Sequence, residues 1–303
     1  MPPLNMAAAI SLNLSDPDDC KAEVQIAGIL QGLVNGSASP AAAARDIDKI
    51  IVDGCQQEAP NPSGWQKYLW DCLGKSAMVV PSNHPGQDSL ISLLEELQRL
   101  PRHEVPEQVG DEVFQKELWT LTPENKYEGL EQWLWELDQG TFTATRQVED
   151  SQTSAISYAN FSAFLARLLA SEVAEATRLS ALIRPSPFAT GNPLTSAAYT
   201  DVSEAARHYE PWACAAAQWI LHAVDVLYEM CDKETIVEIG KQKWTLALWN
   251  GWRSRFETVA TTEQFSSAAR ELASAALKKM AEAEKKGVVT NVVDKFGFMS
   301  LKE

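Results

Sequence analysis

Apolar residues return every three or four positions along most of this 303-residue chain, the period of a helix with one buried face. The first such run covers residues 22–34 and stops at Asn35-Gly36. Ser39 is placed to cap the next helix, with Pro40 at its first position and Ile47, Ile50 and Ile51 as its inner stripe. Pro60 to Ser63 then separates a helix carrying Trp65, Tyr68, Leu69 and Leu73. Asn83-His84-Pro85-Gly86 forms a break before the dense face of Leu90, Ile91, Leu93, Leu94, Leu97 and Leu100, which Pro101 ends.

Residues 102–110, between Pro101 and Gly110, read as the best linker candidate in the chain, partly mobile. A helix is expected over 112–121 and a firmer one over 125–138, ended by Gly140, with 141–154 as a polar connector. Ile156, Phe161, Phe164, Leu165 and Leu168 begin another helix, expected to run to Ile183 before Pro185, Pro187, Gly191 and Pro193 break it. Residues 209–231 follow, then a helix with Trp244, Leu248, Trp252, Phe256 and Val259. A last helix spans 262–286, with Phe265, Ala269, Leu272, Ala276 and Met280 as its seam. Its lysines at 278, 279, 285 and 286 suit a helix carboxyl end, and Phe296 and Phe298 are expected to fold back onto the core.

No run alternates with the period of a half-buried strand, and no repeat of 33 to 45 residues points to a solenoid. The predicted fold class is all-α, a globular bundle of roughly eight to ten helices. The domain reading is an arm over 1–20, expected to be disordered, one helical domain over 21–286 with candidate junctions near 102–110 and 141–154, and a tail over 287–303.

Composition changes the picture in three ways. The ten tryptophans fall mostly on the helical stripes and announce an aromatic interior rather than a reaction. The five cysteines are scattered without zinc or disulfide spacing. The net charge of −15 is lopsided. Residues 1–150 hold 24 acids against 10 bases, a net of −14, and the remainder carries −1. Such a half repels phosphate, so neither nucleic acid nor an anionic membrane is an expected partner; it reads as a solvated acidic surface, with a basic protein as the candidate partner. No apolar stretch approaches the roughly 20 residues of a membrane span, and the first residues lack a secretory signature. A soluble cytoplasmic protein is expected.

Three stretches form an ordered set: His84-Pro85-Gly86-Gln87-Asp88-Ser89-Leu90-Ile91-Ser92-Leu93-Leu94 with Leu100-Pro101, Asn160-Phe161-Ser162-Ala163-Phe164-Leu165-Ala166-Arg167-Leu168, and Ala217-Gln218-Trp219-Ile220. With Trp249, Gly251, Trp252 and Phe256 they resemble the fungal family known as domain of unknown function 3632, over roughly residues 40 to 285. The resemblance implies a fungal, soluble, all-helical protein and carries no catalytic residues with it.

Candidate chemistry centres on residues 212–231. At 100° per residue, Gln218, His222, Asp225 and Glu229 fall within an arc of about 60° on an otherwise apolar helix. Unpartnered buried carboxylates are costly, so this stripe must face either a strip of solvent or a polar cavity. In the cavity reading His222 and Asp225 form an oriented base, Glu229 adds a second carboxylate, and Trp219 and Trp252 supply apolar walls. Asn250, Ser254 and Glu257 approach the magnesium-binding spacing of terpene cyclases, but the acid comes one residue early. No nucleotide loop, metal set or nucleophile elbow is present, and no cofactor is expected. The candidate function is binding, with or without conversion, of a small apolar molecule in an aromatic-lined cavity. The alternatives are a helical interaction module using the acidic half and a non-standard terpene cyclase.

Overall fold

Two of the helices begin as their sequences dictate. Ser39 Oγ accepts the Ala42 N–H at 3.3 Å, Asn61 Oδ1 accepts the Gly64 N–H at 2.8 Å, and Pro follows each cap where a missing N–H costs nothing. The computed structural model describes residues 9–56, 60–146, 151–171, 173, 201–237 and 243–297. In chain order these hold α1 (Lys21–Val34), α2 (Pro40–Cys55), α3 (Pro62–Val79), α4 (Gly86–Arg99), β1 (Glu104–Val109), β2 (Glu112–Glu117), a tight turn over Pro123–Gly129, α5 (Leu130–Arg146), α6 (Ser151–Ala170), α7 (Val202–Asp232), α8 (Leu246–Thr261) and α9 (Ser267–Gly297). Apart from the two strands and one isolated bridge, Ile236 to Lys243, the regular structure among the described residues is helical.

The chain divides into two compact units, residues 1–164 with 171–175 and residues 165–170 with 176–303. In the first, α1, α2, α3 and α4 pack together around Ile26, Leu30, Ile47, Ile51, Leu69, Leu73, Leu90 and Leu94, all buried. The hairpin lies against α2 and α3, and α5 lies against α3. Gly74 permits that last approach, since a Cβ there would stand 2.1 Å from Leu137 Cδ1. In the second unit α9 packs on both α7 and α8. Its Glu284 receives Trp249 Nε1 at 2.8 Å and both of its oxygens lie 3.0 Å from Arg253 Nη1.

The hairpin corrects the expectations of a linker over 102–110 and a helix over 112–121. Val109 pairs with Glu112 across the two-residue turn Gly110-Asp111, where Gly110 takes φ +65°. Glycine reaches that left-handed region without a Cβ penalty. Both faces of the hairpin are largely in solvent, so the apolar alternation that betrays a half-buried strand is missing.

Several helix boundaries differ as well. Residues 125–129 form a turn, and α5 starts at Leu130. Gly140 does not stop α5, which continues to Arg146, and α6 begins at Ser151, so most of the expected connector over 141–154 is helical. One interior Gly costs only about 1 kcal/mol relative to Ala, which a helix anchored at Leu130 and Leu134 tolerates. The helix expected to reach Ile183 ends at Ala170, and Ile183, Pro185, Pro187, Gly191, Pro193 and Phe298 lie outside the described residues. The last helix runs beyond Lys286 to Gly297.

The described part of the amino-terminal arm is bound, not loose. The Ile10 N–H donates to Asn35 Oδ1 at 2.8 Å and the Leu12 N–H to Gln31 Oε1 at 2.9 Å. The Ile10 carbonyl accepts from both side-chain amides, and Leu12 is buried.

Candidate functional site

The polar stripe of α7 is divided between core and solvent. Gln218 and Trp219 are buried, Trp219 at 5% exposure, and His222 is half-buried. Asp225 and Glu229 are exposed. Lys286 holds Asp225 at 2.9 and 3.2 Å, and Lys233 pairs with Glu229. The helix loses regular geometry at Ala223 (φ −133°, ψ 22°), immediately after His222, so an ideal wheel does not carry across this position. Trp252 is buried and meets Trp244 edge-on at 5.3 Å. Asn250, Ser254 and Glu257 are exposed, and Asn250 Oδ1 accepts from Arg253 at 2.8 Å. Among the described residues no group of three or more His, Cys, Asp and Glu is placed to hold a metal ion.

A different set of residues converges in the first unit. A cleft of about 750 Å³ is bounded by α3, β2, the 123–129 turn and α5. Its walls include Lys67, Trp70, Lys116, Thr120, Glu128 and Trp133. Lys67 Nζ stands 5.7 Å from the centroid of the Trp133 ring, a cation over an aromatic face.

At the cleft's polar end the buried amide of Gln66 joins two charges. Its Oε1 accepts from Lys116 Nζ at 2.6 Å, and its Nε2 donates to the Glu128 carboxylate. The reverse amide orientation would set NH₂ against the ammonium, so the network fixes the side chain. Lys116 also donates to Ser63 Oγ at 2.6 Å. Glu128 takes a further bond from the Thr120 backbone N–H.

Burial raises the Glu128 carboxyl above its ordinary value, against the lowering effects of the Thr120 N–H, Lys116 and Gln66. The chain presents this carboxylate from an uncommon backbone. Lys126, Tyr127 and Glu128 have φ of 55°, 54° and 54°, and Gly129 follows at 85°. Left-handed backbone costs an L-residue roughly 1–2 kcal/mol, and such strain persists where surrounding contacts over-determine it. Here Trp70 Nε1 donates to the Glu128 carbonyl at 3.1 Å, the Tyr127 N–H donates to the Thr122 carbonyl at 2.9 Å, and Tyr127 is buried.

Sequence reasoning missed this cluster. Gln66 and Glu128 are 62 positions apart, and Lys116 enters from a strand that reads as helix. Glu128 itself reads as one more surface acid of an acidic half. The only local signal is Thr122-Pro123 ahead of Asn125, which marks a turn.

The cysteines add no second centre. Burial pushes the thiols of Cys55 and Cys72 up to about 11 and those of Cys214 and Cys231 to about 12, far from thiolate reactivity. Among the described residues no helix is long and apolar enough to cross a membrane.

Helical units with aromatic residues in their interiors, and in the first a cleft in which an acid and a lysine share a buried amide, define a class of fold without defining a reaction. Residues 70–256 match the family described as Protein of unknown function (DUF3632), and the chain belongs to that family. The match begins at Trp70 and encloses Lys116, Glu128 and Trp133. No curated protein and no solved structure matches the chain significantly.

Proposed function

We propose that this protein binds a small amphipathic molecule in the cleft between α3, β2 and α5. The observation that carries the reading is the Glu128 carboxyl, held at the polar end of the cleft by Gln66 and the Thr120 N–H with Lys116 beside the same amide. A volume of about 750 Å³ lies inside the roughly 300–1,000 Å³ of small-molecule sites. The apolar body of the ligand lies on the Trp133 ring and the Lys67 methylenes. Its hydroxyl, amide or amine group meets Glu128. A fungal, cytoplasmic protein is part of this proposal, supported by the family resemblance and by cysteines that stand as free thiols.

A thermal-shift screen of water-soluble metabolites tests it. At least one compound is expected to raise the melting temperature, since a ligand at 100 times its dissociation constant contributes about 2.7 kcal/mol. That shift is expected to vanish in Glu128→Gln and to shrink in Trp133→Phe. A shift that survives both variants but is lost in His222→Ala would move the site to the α7 stripe, and a screen without any stabilising compound would end the reading.

A further inference from the structure

The two edges of the β1–β2 hairpin differ. With a two-residue turn, the hydrogen-bonded pairs are Val109 with Glu112, Glu107 with Phe114 and Val105 with Lys116. The backbone groups of the alternate residues therefore point sideways, out of the hairpin. On β1 these are Glu104, Pro106, which has no N–H, and Gln108, whose N–H donates to the Pro60 carbonyl at 2.9 Å. At Pro106 and Gln108 that edge is closed to an incoming strand. On β2 they are Val113, Gln115 and Glu117, and the N–H and C=O groups of Val113 and Gln115 meet no hydrogen-bond partner among the described residues.

Proteins usually protect an open edge with proline, lysine or a covering segment. β2 has none of these at its outward positions, and it carries apolar side chains in solvent instead. Val113 is 60% exposed and Phe114 50%, and Val109 across the turn is 60% exposed. Acids surround them. Glu104, Asp111 and Glu112 are exposed and Glu107 is half-buried, while Arg102 lies 3.8 Å from Glu117. The lysine of the hairpin, Lys116, is turned into the cleft toward Ser63 and Gln66.

We propose that β2 is a docking edge for an extended basic peptide segment of another protein, which adds as a third strand with alternating apolar and cationic residues. Backbone bonds to Val113 and Gln115 hold the segment, its apolar residues lie beside Val113 on one face of the sheet, and its cations, on the other face, meet Glu112 and Glu107. A second copy of this chain is the poorer occupant, because pairing β2 with itself brings Glu112 and Glu117 of the two copies onto one small sheet. Neither Val113 nor Gln115 lines the cleft, so the inference stands apart from the proposed ligand.

The test is fluorescence anisotropy with the full chain and a labelled eight-residue peptide alternating Val and Lys, beside a Val/Glu peptide and a Pro/Lys peptide of equal charge. The Val/Lys peptide is expected to bind, and to bind more weakly as salt rises past about 0.15 M. Val113→Lys, an exposed position, and Gln115→Pro are each expected to weaken it about tenfold, with circular dichroism and melting of Val113→Lys unchanged. Equal binding of the Pro/Lys peptide would reduce the surface to simple charge attraction and overturn strand addition. Binding of the Val/Glu peptide, indifference to Val113→Lys, or a concentration-dependent dimer of the free chain that Val113→Lys abolishes would each overturn the proposed partner.

Discussion

The side chain of Asn160 accepts the backbone N–H of Ser82 at 2.9 Å. Its Nδ2 donates to the Met78 carbonyl at 3.0 Å, so one α6 amide satisfies both a donor and an acceptor in the passage from α3 to α4. Gln87, buried at the start of α4, donates to the Ala77 and Val80 carbonyls at 3.0 and 2.7 Å and to the Asn160 carbonyl at 3.4 Å. Two stretches that carry the family resemblance thus meet at one turn, and their shared role is to satisfy the open carboxyl end of α3.

Asn160→Leu removes both bonds while keeping similar volume, leaving a donor and an acceptor unpaired in a part-buried site. We expect a loss of about 1–3 kcal/mol in urea unfolding, with helical circular dichroism retained. A change under about 0.5 kcal/mol would mean that solvent replaces the amide.

The Glu128 carboxyl makes stability depend on pH in a definite direction. Burial raises its pKa above the ordinary 4.5, so the folded state binds this proton more tightly than the unfolded state does. Its favourable contribution is complete below the ordinary value and is lost as pH climbs through the raised one. Glu128→Gln cannot titrate. We expect the stability of the wild type relative to Glu128→Gln to fall as pH rises from the ordinary carboxylate range toward neutrality, measured by paired denaturant titrations. A flat difference would show that the carboxyl is well solvated, and one that grows with pH would show that the Thr120 N–H, Lys116 and Gln66 outweigh burial.

Acids in the second unit divide by environment. Glu284 serves Arg253 with two oxygens and Trp249 with one, whereas Asp225 is 61% exposed and pairs with Lys286. Glu284→Ala is expected to cost about 2 kcal/mol by orphaning partly buried donors, and Asp225→Asn less than about 1 kcal/mol. Thermal melts of the two variants settle the ranking, and equal losses would contradict it.

What the sequence makes legible here is local. Ser39-Pro40, Asn35-Gly36 and Pro101 mark helix ends because capping and proline geometry act within one turn of chain. Trp219 and Trp252 are buried as their stripes require. The polar stripe was legible as a stripe, but its environment was not. Lys286 reaches Asp225 from 61 positions away, and Ala223 breaks the wheel. The hairpin escaped because strands wet on both faces leave no alternation, although Gly110-Asp111 is a two-residue turn signal. The cleft was invisible for a related reason: its acid, amide and lysine become neighbours only when β2 and the 123–129 turn fold against α3.

The most direct measurement of the cleft assignment is the tryptophan indole ¹H–¹⁵N spectrum of the full chain, titrated with a compound that stabilises it in the metabolite screen. The Trp133 resonance, assigned through Trp133→Phe, is expected to move progressively with ligand. Those of Trp249, hydrogen-bonded to Glu284, and of Trp219 in the other unit are expected to stay. A titration that moves Trp219 or Trp252 and leaves Trp133 in place would contradict the assignment.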